Sequence, residues 1–207
     1  MDMRSFLVEM KYASEGLIEK IWHEHNALAE LNRQIRVLSR RVESEYQAAI
    51  GLQRYAEDPD DVMMGVGRYW ENYFGDDKTL HHMSAGEVTL REKLQSHGFS
   101  ISQLSGSLLA FAKQGLSTVH GSKSSAPQGR PIGTQHLRDV IWEARNQAAH
   151  WEEGNFRQPV TDCFNAFATD IDPKFGSFAT RNMAFDVVEV LGWKDFASFE
   201  KDMLSLA

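Results

Sequence analysis

The sequence predicts an all-α protein, a helical bundle with a long N-terminal helix. Three observations carry that expectation. Only five prolines interrupt 207 residues, and the first after the N-terminus is Pro59. Apolar residues recur at helical rather than alternating spacing, and no stretch reads as a strand with one buried face. Capping and stop residues bracket the apolar runs where helices would begin and end.

From Leu17 onward the first segment carries two apolar rows at heptad spacing. Ile21, Leu28, Ile35, Val42 and Ala49 form one; Leu17, Leu31, Leu38 and Leu52 form the other, interrupted by Glu24 and Glu45. A narrow seam of this kind suits a helix packed in a bundle, and an exposed dimeric coiled coil is the other reading. The segment over 1–58 is expected to be helical, with "AEDPDD" from Ala56 ending it. A shorter aromatic-rich helix follows in "DVMMGVGRYWENYFGDD". In "TLHHMSAGEVTLREKLQSHGFS", Ser84 and Glu87 fit a capping box and Gly98 a stop. "SISQLSGSLLAFAKQGLSTV" then reads as a separate buried helix.

Residues 120–133 are rich in Gly, Ser and Pro, with Lys123 and Arg130 as cations, and are expected to be a flexible loop. A helix over 134–152 comes next, with Thr134 as N-cap and Gly154 as stop. "PVTDCFNAFATDI", "ATRNMAFDVVEVLG" and the tail "KDFASFEKDMLSLA" are three further helices, the last with Phe196, Phe199, Met203 and Leu206 on one side. The whole chain is expected to form a single all-α domain over 1–207.

Composition narrows the function. A net charge of −7 argues against a protein that coats nucleic acid, yet leaves room for one that grips a few phosphates. The single cysteine, Cys163, excludes an internal disulfide and makes the cytoplasm the expected compartment. The N-terminus has no apolar core of a signal peptide, and no run is long enough to span a membrane, so no membrane partner is expected. His23 and His25 diverge on a helix, and neither they nor His81 and His82 show metal-ligand spacing; no metal and no cofactor are expected.

The helix over 134–152 carries the chemistry. Successive residues advance by about 100°. Leu137, Ile141, Ala144, Ala148 and Trp151 therefore fall in one stripe, the expected core seam. Asp139, Trp142, Glu143, Asn146 and His150 fall opposite. Asn146 and His150 are four apart and are surface neighbours; Arg138 and Arg145 share the flank beside Trp142. A polar face built around one large indole suits an interface or a base. The small side chains of Ala148 and Ala149 permit close approach of a partner.

The string Arg145-Asn146-Gln147-Ala148-Ala149-His150 has an arginine, a polar residue directly after it, and a histidine five positions on. It resembles the R-x(4–6)-H signature of the HEPN superfamily of all-α domains, in which a late helix of a bundle carries the motif. The resemblance implies metal-independent RNA cleavage by a toxin or phage-defence effector. RNA would be the substrate, an antitoxin protein a further partner, and Arg145, Asn146 and His150 the catalytic residues. Arg138, Trp142 and Arg130 would bind substrate.

The chemistry has its own logic. RNA carries its nucleophile, the 2′-hydroxyl, so a catalyst needs a proton shuttle and a cation. Histidine can be base or acid, and arginine grips phosphate through two donors. One histidine cannot easily serve both faces of the phosphorus, so a homodimer with two motif helices across a two-fold axis is expected.

Plainer roles compete. His150 also suits the dipole of a helix C-terminus, Arg145 an ion pair with Glu143 or Glu152, and Trp142 the core. A non-catalytic helical module that binds a protein or RNA partner is the alternative for the whole chain.

Overall fold

The structure, a computed structural model, describes the chain apart from Gly86 and the side chains of Leu31 and residues 82–95. The expected capping box of Ser84 and Glu87, and His82, lie outside the described residues. The fold is all-α, with the long N-terminal helix expected. Among the described residues the only strands are a two-residue antiparallel pair, β1 (Pro131–Ile132) and β2 (Gln135–His136). No described helix is long and apolar enough to cross a membrane.

The helices are α1 (Met3–Arg54), α2 (Pro59–Asn72), α3 (Lys78–Ala85), α4 (Glu87–His120), α5 (Leu137–His150), α6 (Gln158–Asp170), α7 (Ala184–Leu191) and α8 (Phe196–Leu204). They build two compact units, one of Met1–Glu24 with Phe99–Ala207, the other of His25–Gly98.

In the second unit the heptad rows of α1 turn inward. Val42 and Ala49 are buried, and Ile35, Leu38 and Leu52 half-buried. α2 starts at an Asp58 cap whose carboxylate accepts the Asp60 and Asp61 N–H groups, with Pro59 in its first turn. It crosses α1 closely at Gly65. A Cβ there would lie 2.7 Å from Gln53 Cγ and 3.0 Å from the Ala49 carbonyl oxygen, so nothing larger than glycine fits. Asn72 Nδ2 donates to the Val42 carbonyl at 3.0 Å, Arg68 pairs with Glu45 at 2.6 Å, and Arg41 pairs with Asp76.

The other unit has an aromatic core in which Phe164, Phe167, Phe175, Trp193 and Phe199 are fully buried. The N-terminal part of α1 contributes Met3, Phe6, Leu7 and Ile18 to it. Trp22 Nε1 donates to the Trp193 carbonyl at 2.8 Å. α7 ends at Gly192 in the left-handed region, and α8 opens on a reciprocal cap between Asp195 and Ser198. Phe196, Phe199, Met203 and Leu206 are buried together, as their spacing predicts.

One expectation is corrected here. Gly98 does not stop a helix: α4 runs through it to His120. A glycine inside a helix costs only about 1 kcal/mol, which the packing of a 34-residue helix outweighs. Residues 120–133 are tied down at several points. Arg130 makes a two-pronged pair with Asp202 at 2.8 Å on each prong and donates to the Leu191 carbonyl at 2.7 Å. Ala126 and Ile132 are buried, and Gly133 (φ 59°) makes the tight turn between β1 and β2.

Candidate functional site

α5 is positioned from both ends. Its N-terminus is delivered by the β1–β2 turn, and the helix begins at Leu137 rather than at Thr134. Thr134 caps nothing: its N–H and Oγ1 both donate to Asp170 Oδ2, at 2.9 and 2.6 Å, anchoring the turn to α6. At the other end the chain tightens into a 3₁₀ turn over Trp151–Glu153 and stops at Gly154 (φ 63°), the predicted stop.

The core seam differs from the expected one, and Glu143, expected on the outer face, is buried. The buried residues of α5 are Leu137, Val140, Ile141, Glu143, Ala144 and Gln147. Trp151 leaves the expected stripe because it belongs to the 3₁₀ turn, and it is half-buried, as is Ala148. A Cβ added to Gly106 of α4 would lie 3.4 Å from Ala148 Cβ. The close approach that Ala148 permits is thus filled by α4 of the same chain.

Gln147 is fully buried and uses its whole amide. Its Nδ-equivalent, Nε2, donates to the Phe178 and Arg181 carbonyls, each at 2.7 Å, and its Oε1 accepts the Met183 N–H at 3.0 Å. A polar residue on the core side of the motif thereby splints the segment that leads into α7.

On the outward side lies a cleft of about 470 Å³. Trp142, Asn146 and His150 line it from α5, and Glu153, Phe156 and Arg157 face them from the 3₁₀ turn and the approach to α6. His150 Nδ1 meets Glu153 Oε1 at 2.7 Å, and the histidine side chain is 52% exposed. An ionised Glu153 accepts a hydrogen bond from Nδ1–H, and in that tautomer Nε2 is the nitrogen open to proton exchange.

Asn146 Nδ2 donates to Glu143 Oε2 at 3.2 Å, and Lys123 Nζ reaches Glu143 Oε1 at 2.6 Å and Asp139 at 3.1 Å. Burial pulls the Lys123 ammonium down, but its bonds to Glu143 and Asp139 outweigh this and hold its pKa above the ordinary lysine value. The charge of the buried Glu143 is thus neutralised from the 120–133 segment.

Trp142 is half-buried, with Lys113 Nζ 4.7 Å from its ring centroid. Arg145 stands beside the cleft rather than in its lining, its Nη1 3.5 Å from Asn146 Oδ1. Among the described residues no carboxylate pairs with Arg145, neither Glu143 nor Glu152, and none pairs with Arg157. Arg130 and Arg138 are not brought to the cleft. Arg130 is held by Asp202, and Arg138 by Asp139 and the Ala126 carbonyl.

The structure therefore assembles Trp142, Asn146 and His150, with Arg145 adjacent, and adds Glu143, Lys123, Glu153 and Arg157. The His150–Glu153 spacing of three was visible in the sequence; the reach of Lys123 was not. Among the described residues no group of three His, Cys, Asp or Glu side chains is placed to hold a metal ion.

Fold and cleft together show an all-α protein with a histidine–carboxylate pair beside two arginines that no carboxylate engages among the described residues. No family model matches the chain, and no curated protein or solved structure is significantly similar to it.

Proposed function

We propose that the chain is a HEPN-like, metal-independent endoribonuclease, a toxin or phage-defence effector working in the cytoplasm. The observation that carries this reading is the 2.7 Å bond from His150 Nδ1 to Glu153 in a cleft that also holds Asn146. In this reading Nε2 of His150 removes the proton of a 2′-hydroxyl, whose oxygen attacks the adjacent phosphorus. The bond to the 5′-oxygen breaks, leaving a 2′,3′-cyclic phosphate, and the departing oxygen takes a proton from the His150 imidazolium of a second copy. Arg145 and Arg157 stabilise the charge that gathers on the phosphoryl oxygens. Trp142 offers a face for a base.

Two features support the assignment besides the pair. Arg145 has no competing carboxylate among the described residues. Lys123 offsets the negative charge of Glu143, which would otherwise repel phosphate next to Asn146. The test is incubation of the pure protein with mixed RNAs in EDTA, followed by end-group analysis. Cyclic phosphate and 5′-hydroxyl ends are expected, and they should be absent with His150→Ala. No cleavage by the unmodified chain, or cleavage that requires added metal, overturns the reading.

The second reading, a non-catalytic helical module, is favoured by an exposed aromatic surface far from this motif in sequence, on α2.

A further inference from the structure

α2 hides one side and leaves another bare. Gly65 and Asn72, seven residues apart, face α1. A different stripe carries Val62, Tyr69 and Tyr73 in one row and Met63, Trp70 and Phe74 in the next, at steps of seven and four, with Tyr73 and Phe74 on the π-helical turn Tyr73–Asp77 that continues α2. All six are exposed, Met63 at 67% and Phe74 at 64%. Their rings are ordered against one another: Trp70 stacks on Phe74 at 5.7 Å and meets Tyr73 edge-on at 5.5 Å. Scattered exposed apolar residues are ordinary, but a contiguous stripe of aromatics and methionine marks an interaction surface.

The charge around the stripe says what covers it. Glu57, Asp58, Asp60 and Asp61 crowd its start, and Glu71 and Asp77 its end, where the neighbouring Asp76 is already paired with Arg41. Between Pro59 and Asp77 the one basic residue is Arg68, already engaged by Glu45. An open hollow of about 450 Å³ at the start is lined by Val62 and Met63 with Glu57 and Asp58; a second of about 360 Å³ at the end by Tyr73 and Phe74 with Asp77 and Lys78. Apolar floors with carboxylate rims repel phosphate backbones and other acidic surfaces, and favour lysine and arginine. Val62 to Phe74 spans roughly 18 Å at 1.5 Å per residue, three turns of a facing helix.

We propose that this stripe is a docking surface for a basic amphipathic helix of another protein. The partner's apolar residues seat on Met63, Trp70 and Phe74, and its lysines or arginines reach the carboxylates at either end. The site is independent of the RNA-cleaving cleft.

The test titrates the full chain into a fluorescein-labelled Leu/Lys peptide of about 14 residues, apolar on one helical face, and follows anisotropy. Saturable binding that weakens with salt is expected. The same peptide with glutamate for lysine should not bind. Trp70→Ser with Phe74→Ser should weaken binding by about tenfold or more, as loss of aromatic anchors does. His150→Ala should leave it unchanged. If the double variant melts early, Met63→Lys serves instead: it sets a like charge against the peptide at an exposed position and should weaken binding as well. The proposal is overturned if the glutamate peptide binds equally, if binding ignores all three positions, or if a labelled oligouridylate competes the peptide off this face. Light scattering that shows a dimer dissolved by the Trp70 and Phe74 changes also overturns it, since a second copy would then be the occupant.

Discussion

Gly106 of α4 passes Ala148 of α5 with room for nothing beyond a methyl group: a Cβ on Gly106 would sit 3.4 Å from that of Ala148. The crossing fixes the distance between α4 and the helix that carries Arg145 and His150. Ala148→Leu should overpack it and cost roughly 1–3 kcal/mol, read as a melting temperature lower by several degrees. A variant that melts with the unmodified chain would mean that α4 yields at this point.

His150 and Arg145 lie off the buried seam of Leu137, Val140, Ile141, Ala144 and Gln147. Substitution away from the core usually changes stability by less than about 0.5 kcal/mol. Removing a general acid–base residue typically costs about 10²–10⁴-fold in rate. His150→Ala should therefore abolish RNA cleavage or toxicity with a nearly unchanged melting temperature. Arg145→Lys should not restore Arg145→Ala fully, because lysine lacks the two-pronged donor. Glu153→Gln, which keeps an acceptor for Nδ1–H, should lose less activity than Glu153→Ala. A folded His150→Ala that still cleaves would sink the catalytic assignment.

Cys163 is buried, and burial foremost, with the charge of Glu143 adding to it, pushes its thiol up to about 12. Only the thiolate reacts with alkylating reagents. Iodoacetamide should leave the folded chain unmodified at neutral pH and label it at the rate of unfolding as urea is raised. Prompt labelling without denaturant would contradict this packing.

Asp170 is held below the usual carboxylate value of 3.8 by the Thr134 hydroxyl and then its N–H. Asp195 is lowered likewise by the Ser198 N–H and then its hydroxyl. A depressed folded pKa contributes stability that is present above the unfolded value and lost as pH falls through the folded one. The deficit of Asp170→Asn or Asp195→Asn relative to the unmodified chain should therefore be full at neutral pH and shrink below about pH 3.8. Denaturant melts across a pH series measure it; a deficit that widens toward acid would exclude these bonds as its source.

What was legible in the sequence were features set by local chemistry. The heptad rows of α1, the Gly154 stop and the seam of α8 follow from spacing and backbone preference alone. So does the meeting of Asn146 and His150, four residues apart on one helix. What was hidden depends on distant partners. Thr134 looks like an N-cap until Asp170, thirty-six residues on, claims both its donors. Arg130 looks like a free cation until Asp202 engages it, and Arg138 until the Ala126 carbonyl, twelve residues back, accepts from it. Lys123 joins the site only because Glu143, twenty positions away, is buried and needs a counter-charge. The stretch around Val62–Phe74 reads in sequence only as an aromatic-rich helix, and which of its aromatics stay exposed appears only once Gly65 and Asn72 are seen to face α1.

Gln147 gives the motif a second grammar. Written as a pattern, the string has fixed letters at its ends and wildcards between them, and Gln147 falls among the wildcards. In the folded chain it is the most committed of the six: its amide closes three backbone valences around 178–183, whereas Arg145 keeps a single long bond. Glutamate there would lose the two donors, and leucine all three partners. A chain with the same Arg and His and a different middle would have to reroute that backbone, so the spelling between the two fixed letters carries the scaffold's own address.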